Sequence, residues 1–181
     1  VIDSFGLVRP DAETRQSMKT AVGAIQKSVY LMGDVRTAST SVEGSTVRLA
    51  SLGTLPAQPS GLKEGVVEMI RAQRSFWDDF DHPTYTVALY GVEGCCWSVG
   101  DSVYRGFASF LAQKQPRALQ SHLVQLIAHE HLHHWIPDAM GSPRPFRAYM
   151  WFNEGFTEYF ARQFKLRTDV YAFETYVDRI N

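Results

Sequence analysis

The feature that most constrains this chain is a histidine-rich stretch, His129-Glu130-His131-Leu132-His133-His134-Trp135. Within it, His129, Glu130 and His133 match the pattern HExxH. Residues four apart lie on the same side of a helix, so His129 and His133 can bind one metal ion through their ring nitrogens. Glu130 lies on the flank of that side, where it can reach a water molecule bound to the same metal. Two neutral nitrogen ligands and a carboxylate base are what zinc-dependent hydrolysis of an amide requires.

A histidine tract that binds metal loosely, without catalysis, is the alternative, because four of the six histidines fall between positions 129 and 134. The tract is internal, however, and a predicted helix leads into it from Arg117. The apolar residues at helical spacing in that helix are Leu119, Leu123, Leu126 and Ile127. Pro137 is expected to end the helix shortly after the motif. This context favours a catalytic zinc site.

A third ligand is expected, because zinc in hydrolases usually has three protein ligands and one water molecule. The segment Trp151–Phe160 predicts a second helix. Its aromatic residues at helical spacing, which we interpret as the core side, are Phe152, Phe156, Tyr159 and Phe160. Glu154 and Glu158 are four apart and share another side of that helix. Twenty residues separate His133 from Glu154, and the prolines among them predict a turn that brings the second helix to the first.

The HExxH block and the sequence Trp151-Phe152-Asn153-Glu154-Gly155-Phe156-Thr157-Glu158-Tyr159 together resemble the gluzincin metallopeptidases, a clan that includes thermolysin and aminopeptidase N. The chain is most similar to the glycyl aminopeptidase family from about Ser60 to Asn181. The resemblance implies that His129, His133 and Glu154 bind Zn2+ and that Glu130 is the general base. It also implies peptide or protein substrates.

The resemblance implies an α+β fold with a thermolysin-like catalytic core. In such a core a small mixed β-sheet is followed by the HExxH helix and then by the helix with the glutamate ligand. Two residues of that second helix have two interpretations each. Glu158 either orients a zinc-binding histidine through its second nitrogen or is a solvated carboxylate. Asn153 either supports the site by a hydrogen bond or caps the helix.

Composition restricts the partners. A chain of 181 residues, 45% hydrophobic and 20% charged, favours one compact domain or one domain and part of another. The net charge of -1 gives no indication of a nucleic-acid partner, and no apolar run is long enough to span a membrane. The sequence leaves the localisation open between export, for example to a bacterial periplasm, and the cytoplasm.

Residues 1–55 are predicted to be the end of an N-terminal β-rich domain or a lead-in segment, and residues 60–181 the catalytic core. The predicted elements are a helix over Asp11–Lys27, a hairpin of Val35–Val42 and Ser45–Leu52, a helix capped by Ser60 and reaching Trp77, strands over Tyr85–Tyr90 and Ser102–Leu111 with a bulge at Gly106, and a final helix over Thr168–Asn181.

Two departures from the clan limit the functional prediction. Glu93 and Asp101 do not match the glutamate that holds the free amine of a substrate in aminopeptidases, so exopeptidase and endopeptidase activity both stay open. Tyr171 and Tyr176 do not match the residue that stabilises the oxyanion, so we expect a core truncated at its C-terminus, with further domains missing. The alternatives to an active peptidase are a catalytically incomplete, zinc-containing module that binds peptides and a hydrolase of non-peptide substrates.

Overall fold

The computed structural model describes residues 2–5, 19–55, 61–93, 99–112, 119–141, 146–168 and 177. The elements in chain order are β1 (Ile2–Asp3), α1 (Val22–Gln26), β2 (Tyr30–Leu31), β3 (Arg36–Val42), β4 (Ser45–Leu52), α2 (Leu62–Trp77), β5 (Thr84–Val92), β6 (Val99–Val103), β7 (Gly106–Ala112), α3 (Leu119–Leu132), a π-helical turn (His134–Ala139) and α4 (Phe146–Arg167). The strands belong to one compact unit, and α2, α3 and α4 belong to a second one.

Five strands form a mixed sheet in the order β3-β4-β5-β7-β6. The inner pairs β4–β5 and β5–β7 are parallel, and the outer pairs β3–β4 and β6–β7 are antiparallel. The central strand β5 buries Tyr85 through Leu89 without interruption, the pattern of a strand buried on both faces rather than on one. A small apolar cluster joins the lead-in strands to this sheet: Ile2, Leu31, Ala50 and Ala88. The α+β class and the mixed sheet are confirmed.

The predicted hairpin before the linker is confirmed, with Val42 opposite Ser45. Glu43 and Gly44 both have positive φ angles, 47° and 80°, as a two-residue turn between twisted strands requires. This hairpin shares its sheet with strands that follow the predicted linker, because β4 pairs with β5 from Thr46 to Leu52. The assignment of residues 1–55 to an N-terminal domain stays a prediction. Of the predicted helix over 11–27, positions 11–18 lie outside the described residues, and α1 is its described part.

The single strand predicted over Ser102–Leu111 is wrong. The chain forms two antiparallel strands, β6 and β7, joined at Tyr104 and Arg105, where Arg105 has a φ of 51°. Gly106 begins β7 and pairs with both Val103 and Thr86, so it is not a bulge. A glycine is needed there because a Cβ atom would overlap the backbone oxygen of Thr86 on the neighbouring strand.

We therefore expect Gly106→Ala to lower the free energy of unfolding by about 1–3 kcal/mol, since the β5–β7 pair must separate to admit the methyl group. Gly65→Ala is the matched control. Gly65 lies inside α2, where its Cβ would be 3.5 Å from Val124, and alanine should stabilise the helix by about 0.5–1 kcal/mol. Urea unfolding of both variants measures the two effects. A Gly106→Ala variant as stable as the wild type would contradict the close approach.

In its described residues the second unit contains α2, α3, the π-helical turn and α4, and the three α-helices contact one another. Helix α2 buries Val66, Met69 and Ile70, and α3 buries Leu123 and Ile127, so the apolar patterns predicted for both helices are confirmed at these positions. Helix α2 begins after Gly61, which has a φ of 90° and provides no side-chain cap. The predicted capping residue, Ser60, lies outside the described residues. None of the helices in the described ranges has the length and apolar character needed to cross a bilayer.

The prediction for the buried side of α4 is wrong for two of its four aromatic residues, since Phe152 and Phe160 are half-buried and the other two are exposed. The aromatic residues Phe156 and Tyr159 are 43% and 56% exposed, whereas Asn153, Thr157 and Ala161 are at most 1% exposed. The buried residues of α4 include the small and polar Asn153, Thr157 and Ala161 at four-residue spacing, and also Phe164 and Lys165. Side chains as small as the first three let the backbones of packed helices approach each other closely, and α3 is the element that α4 contacts most.

Candidate metal centre

The HExxH motif lies at the C-terminal end of α3, which ends at Leu132. His133 keeps helical backbone angles, and the chain leaves the helical path at Ile136, immediately before Pro137, as predicted for a proline in this position. The rings of His129 and His133 therefore lie on one side of the helix. Their centroids are 4.8 Å apart with the planes nearly perpendicular.

Glu154 on α4 faces both rings. Its Oε2 atom lies 3.2 Å from Nε2 of His129 and 3.8 Å from Nε2 of His133. Two atoms that each bind a tetrahedral zinc ion at about 2.0–2.1 Å are about 3.3–3.4 Å apart. The three atoms thus have the chemistry and nearly the spacing of a zinc-binding set.

The other nitrogen of each ring has its own acceptor. Nδ1 of His129 lies 3.3 Å from Oε2 of Glu158, and Nδ1 of His133 lies 2.9 Å from the carbonyl oxygen of Ile136. Since a carbonyl oxygen only accepts hydrogen bonds, the neutral His133 ring carries its proton on Nδ1. Both nitrogens of His129 face carboxylates, Nδ1 that of Glu158 and Nε2 that of Glu154. The Nε2 atom of each ring lies on the side of Glu154. Metal-binding histidines generally have this arrangement.

A second carboxylate is close to the pair. Glu130 has an oxygen within 4.8 Å of ring nitrogens of both His129 and His133. It follows His129 directly on α3, whereas Glu154 comes from another helix and places one oxygen near both Nε2 atoms. The site therefore brings together two imidazoles and two carboxylates.

Glu158 has both carboxylate oxygens engaged. Besides His129, the donors are Gln125 Nε2 at 3.0 Å to Oε2 and Arg162 Nε at 2.7 Å to Oε1. The hydrogen bond with His129 contributes most to holding the pKa of Glu158 at about 2, and Arg162 and Gln125 lower it further against the opposing effect of burial. The carboxylate is therefore ionised at neutral pH.

The pKa of His129 is raised above its ordinary value. Burial lowers this pKa, but the hydrogen bond to Glu158 and the negative charges of Glu130, Glu154 and Glu158 together outweigh burial. A positive charge at this point of the molecule is thus stabilised. The same surroundings that favour a proton on His129 favour a cation.

The remaining histidines of the motif point elsewhere. His131 is 3% exposed, and its Nδ1 lies 2.6 Å from Oε1 of Gln73, whose amide nitrogen donates to the Ala128 carbonyl oxygen at 2.9 Å. His134 packs edge-on against Trp135 and has Nε2 3.6 Å from Oδ2 of Asp79. Gln73 and Asp79 therefore attach α3 and the turn after it to the α2 region. The dense histidine tract divides into a pair facing Glu154 and a pair with structural contacts.

Asn153 does not cap α4, because the helix begins at Phe146 and Asn153 lies in its interior. Its side chain is buried, and neither amide atom has a hydrogen-bond partner among the described residues. Its supporting role stays a prediction. Glu93 follows β5, and Asp101 lies in β6. Tyr171 and Tyr176 lie outside the described residues.

Two contributors were absent from the sequence prediction: the Ile136 carbonyl, and the pair Gln125 and Arg162. The side chains could have been found, since Gln125 precedes His129 by four residues and Arg162 follows Glu158 by four. A carbonyl oxygen has no signature in the sequence.

No protein-family model matches the chain, and no curated protein matches it. Several solved structures, however, are similar to it. A crystal structure of an aminopeptidase N family protein from Idiomarina loihiensis superimposes with a TM-score of 0.64 at 18% identity, covering 80% of this chain and 27% of that chain. An M1 zinc metallopeptidase from Deinococcus radiodurans is similar with a TM-score of 0.48 at 16% identity, covering 76% of this chain and 30% of that one. The chain thus spans less than a third of these proteins, and over that span it has the fold of the aminopeptidase N family structure.

Proposed function

We propose that this chain carries the zinc site of a gluzincin metallopeptidase and takes part in hydrolysing peptide bonds. The observation that carries the proposal is the convergence of two Nε2 atoms on Glu154 while both Nδ1 atoms have their own acceptors. His129, His133 and Glu154 are the proposed ligands. The fold shared with an aminopeptidase N family structure supports the proposal independently of the motif.

The donor set suits zinc. Two neutral imidazoles and one carboxylate are the ligands of several catalytic zinc sites, which keep a fourth position for water or substrate. Zinc bound there would supply Lewis acidity, polarising the scissile carbonyl and making water more acidic. Glu154 is assigned as the third ligand rather than Glu130 because Glu154 Oε2 approaches both Nε2 atoms.

Glu130 is the proposed general base. Its carboxylate is near both imidazoles. As the residue next to a proposed ligand on α3, it would be within reach of a water molecule bound at the same site. Glu130 would take a proton from that water and later give it to the leaving nitrogen of the cleaved peptide bond. In this role Glu130 acts as a base and does not bind the metal.

Glu158 is the proposed orienting group for His129. An ionised carboxylate on Nδ1 fixes the tautomer and increases the basicity of the opposite nitrogen. The Ile136 carbonyl has the corresponding role for His133. The carboxylate behind His129 is the thermolysin-like feature that we propose for the site. The proposal extends to aminopeptidase specificity only through the fold that the chain shares with an aminopeptidase N family structure.

The test is metal analysis combined with peptide cleavage by the full-length protein. We expect about one zinc ion per chain, cleavage of a peptide library, loss of cleavage after chelation, and recovery on adding zinc back. Comparing peptides with free and acetylated N-termini separates aminopeptidase from endopeptidase activity. Stoichiometric zinc without cleavage would favour the peptide-binding module instead. A protein that binds no zinc under these conditions would refute the site.

A further inference from the structure

Two contacting helices carry matching sets of polar side chains at four-residue spacing. They are Gln125 and His129 on α3 with His133 one residue past its end, and Glu154, Glu158 and Arg162 on α4. One end of this arrangement, with His133 and Glu154, is the proposed zinc site. The other end, with Gln125 and Arg162, contains no proposed ligand. Its hydrogen bonds to Glu158 are nevertheless short, at 3.0 Å and 2.7 Å.

The link between the two ends is Glu158. Its Oε2 is shared between Nδ1 of His129 at 3.3 Å and Nε2 of Gln125 at 3.0 Å, and its Oε1 accepts from Nε of Arg162 at 2.7 Å. A glutamate on a helix surface otherwise moves among several rotamers. Donors on both oxygens, from two different helices, restrict this carboxylate to one orientation.

We propose that Gln125 and Arg162 are positioning residues that act through Glu158 to hold the His129 imidazole in its metal-binding orientation. This inference rests on the proposed zinc site. Gln125 binds Glu158 across the helix–helix contact, so it fixes the carboxylate relative to α3, where His129 lies. Arg162 binds it from one turn further along α4 and neutralises its charge on the side away from His129. Without either residue the carboxylate can rotate, and the Nδ1 hydrogen bond that orients the ring weakens.

A purely structural role predicts a different result. The Arg162–Glu158 pair is a half-exposed i,i+4 ion pair, and such pairs contribute little to stability. Its loss should therefore hardly change the unfolding of the protein. Loss of a group that orients a metal ligand lowers metal affinity about 10–100-fold. Because Gln125 and Arg162 are one contact further from the metal, we expect the loss of either residue to lower zinc affinity about three- to tenfold.

The experiment measures zinc affinity by competition with a chromophoric chelator, and the visible spectrum of the cobalt-substituted protein. Arg162→Met and Gln125→Leu should each weaken zinc binding by about three- to tenfold and change the cobalt spectrum, with thermal unfolding of the metal-free protein nearly unchanged. Arg162→Lys, which can still pair with Glu158 at this spacing, should recover most of the affinity.

The matched control is Arg71→Met. Arg71 forms an ion pair with Glu68 on α2, and its side chain is 36% exposed, as is that of Arg162. This variant should bind zinc like the wild type. If Arg162→Met and Gln125→Leu also bound zinc like the wild type, the inference would be wrong while the proposed function stood. A wild-type protein without zinc affinity would overturn both.

A double-mutant cycle tests the route through Glu158. Glu158→Gln alone should weaken zinc binding by about 10–100-fold. In that background Arg162→Met should cause almost no further loss, because the carboxylate on which it acts is already gone. Additive losses from the two substitutions would show that Arg162 acts independently of Glu158, and the inference would fail.

Discussion

Replacing Glu154 by alanine is expected to lower the zinc affinity of the protein by more than about a hundredfold. Groups that only orient a ligand cost about 10–100-fold when removed, and Glu154 is proposed to bind the metal itself. Its Oε2 is the atom toward which both Nε2 atoms converge. Removing it leaves two imidazoles, which hold a divalent ion much more weakly than a three-ligand site. Competition with a chelator of known affinity measures the loss.

Glu68→Ala is the matched control for this substitution. Glu68 lies on α2, and its side chain is 54% exposed, against 50% for Glu154, so both changes remove a similarly exposed helical carboxylate. Zinc affinity should be unchanged in Glu68→Ala. If Glu154→Ala also kept wild-type affinity while Glu130→Ala lost zinc, Glu130 would be the third ligand and the assignment of the two carboxylates would have to be reversed.

Which residues of the site share one side of a helix could be predicted, because their four-residue spacing alone determines it. His129 and His133, like Glu154 and Glu158, are four apart, and the structure places each pair on one side of a helix. The turn signal Glu43-Gly44 likewise predicted the hairpin of Val35–Val42 and Ser45–Leu52, and alternation over Tyr85–Tyr90 predicted the position of β5. These features depend on local periodicity, which a sequence contains in full.

The features that were predicted wrongly depend on neighbours. The turn between β6 and β7 uses Arg105 with a φ of 51°, a conformation that sequence rules assign to glycine, asparagine or aspartate. The aromatic residues of α4 were expected to be buried because they are apolar. Phe156 and Tyr159 are instead exposed, and the buried residues of α4 are Asn153, Thr157, Ala161, Phe164 and Lys165, since the elements that the helix contacts determine which of its sides is covered.

The acceptors on Nδ1 of His129 and His133 show why a sequence motif identifies metal ligands more readily than it identifies the groups that orient them. The acceptor for His133 is a backbone carbonyl, at a point where the chain leaves the helix before Pro137. Any residue at position 136 would offer the same atom. The acceptor for His129 is a side chain, Glu158, and the spacing from Glu154 revealed it. Sequence therefore identifies the orienting group only where that group is a side chain in register with the motif.

Glu130→Gln is expected to keep zinc and to reduce peptide cleavage by about two orders of magnitude or more, the usual scale for loss of a general base. Glutamine has nearly the same size and can keep hydrogen bonds to water, but it cannot accept the proton that the attacking water gives up. Glu130 is near both imidazoles, and Glu154 is the proposed third ligand, so an amide at position 130 should leave the ligand set intact. Zinc content and turnover of the full-length protein are the two measurements.

The control is Glu64→Gln, an exposed carboxylate in the first turn of α2, which should keep both zinc and turnover. The two measurements separate the roles that Glu130 could have. Loss of zinc together with turnover would make Glu130 a ligand, because an outer group in contact only with water should not determine metal content. Full turnover with full zinc would mean that another group accepts the proton. Only retained zinc with lost turnover agrees with a base that acts on water held between Glu130 and the two histidines.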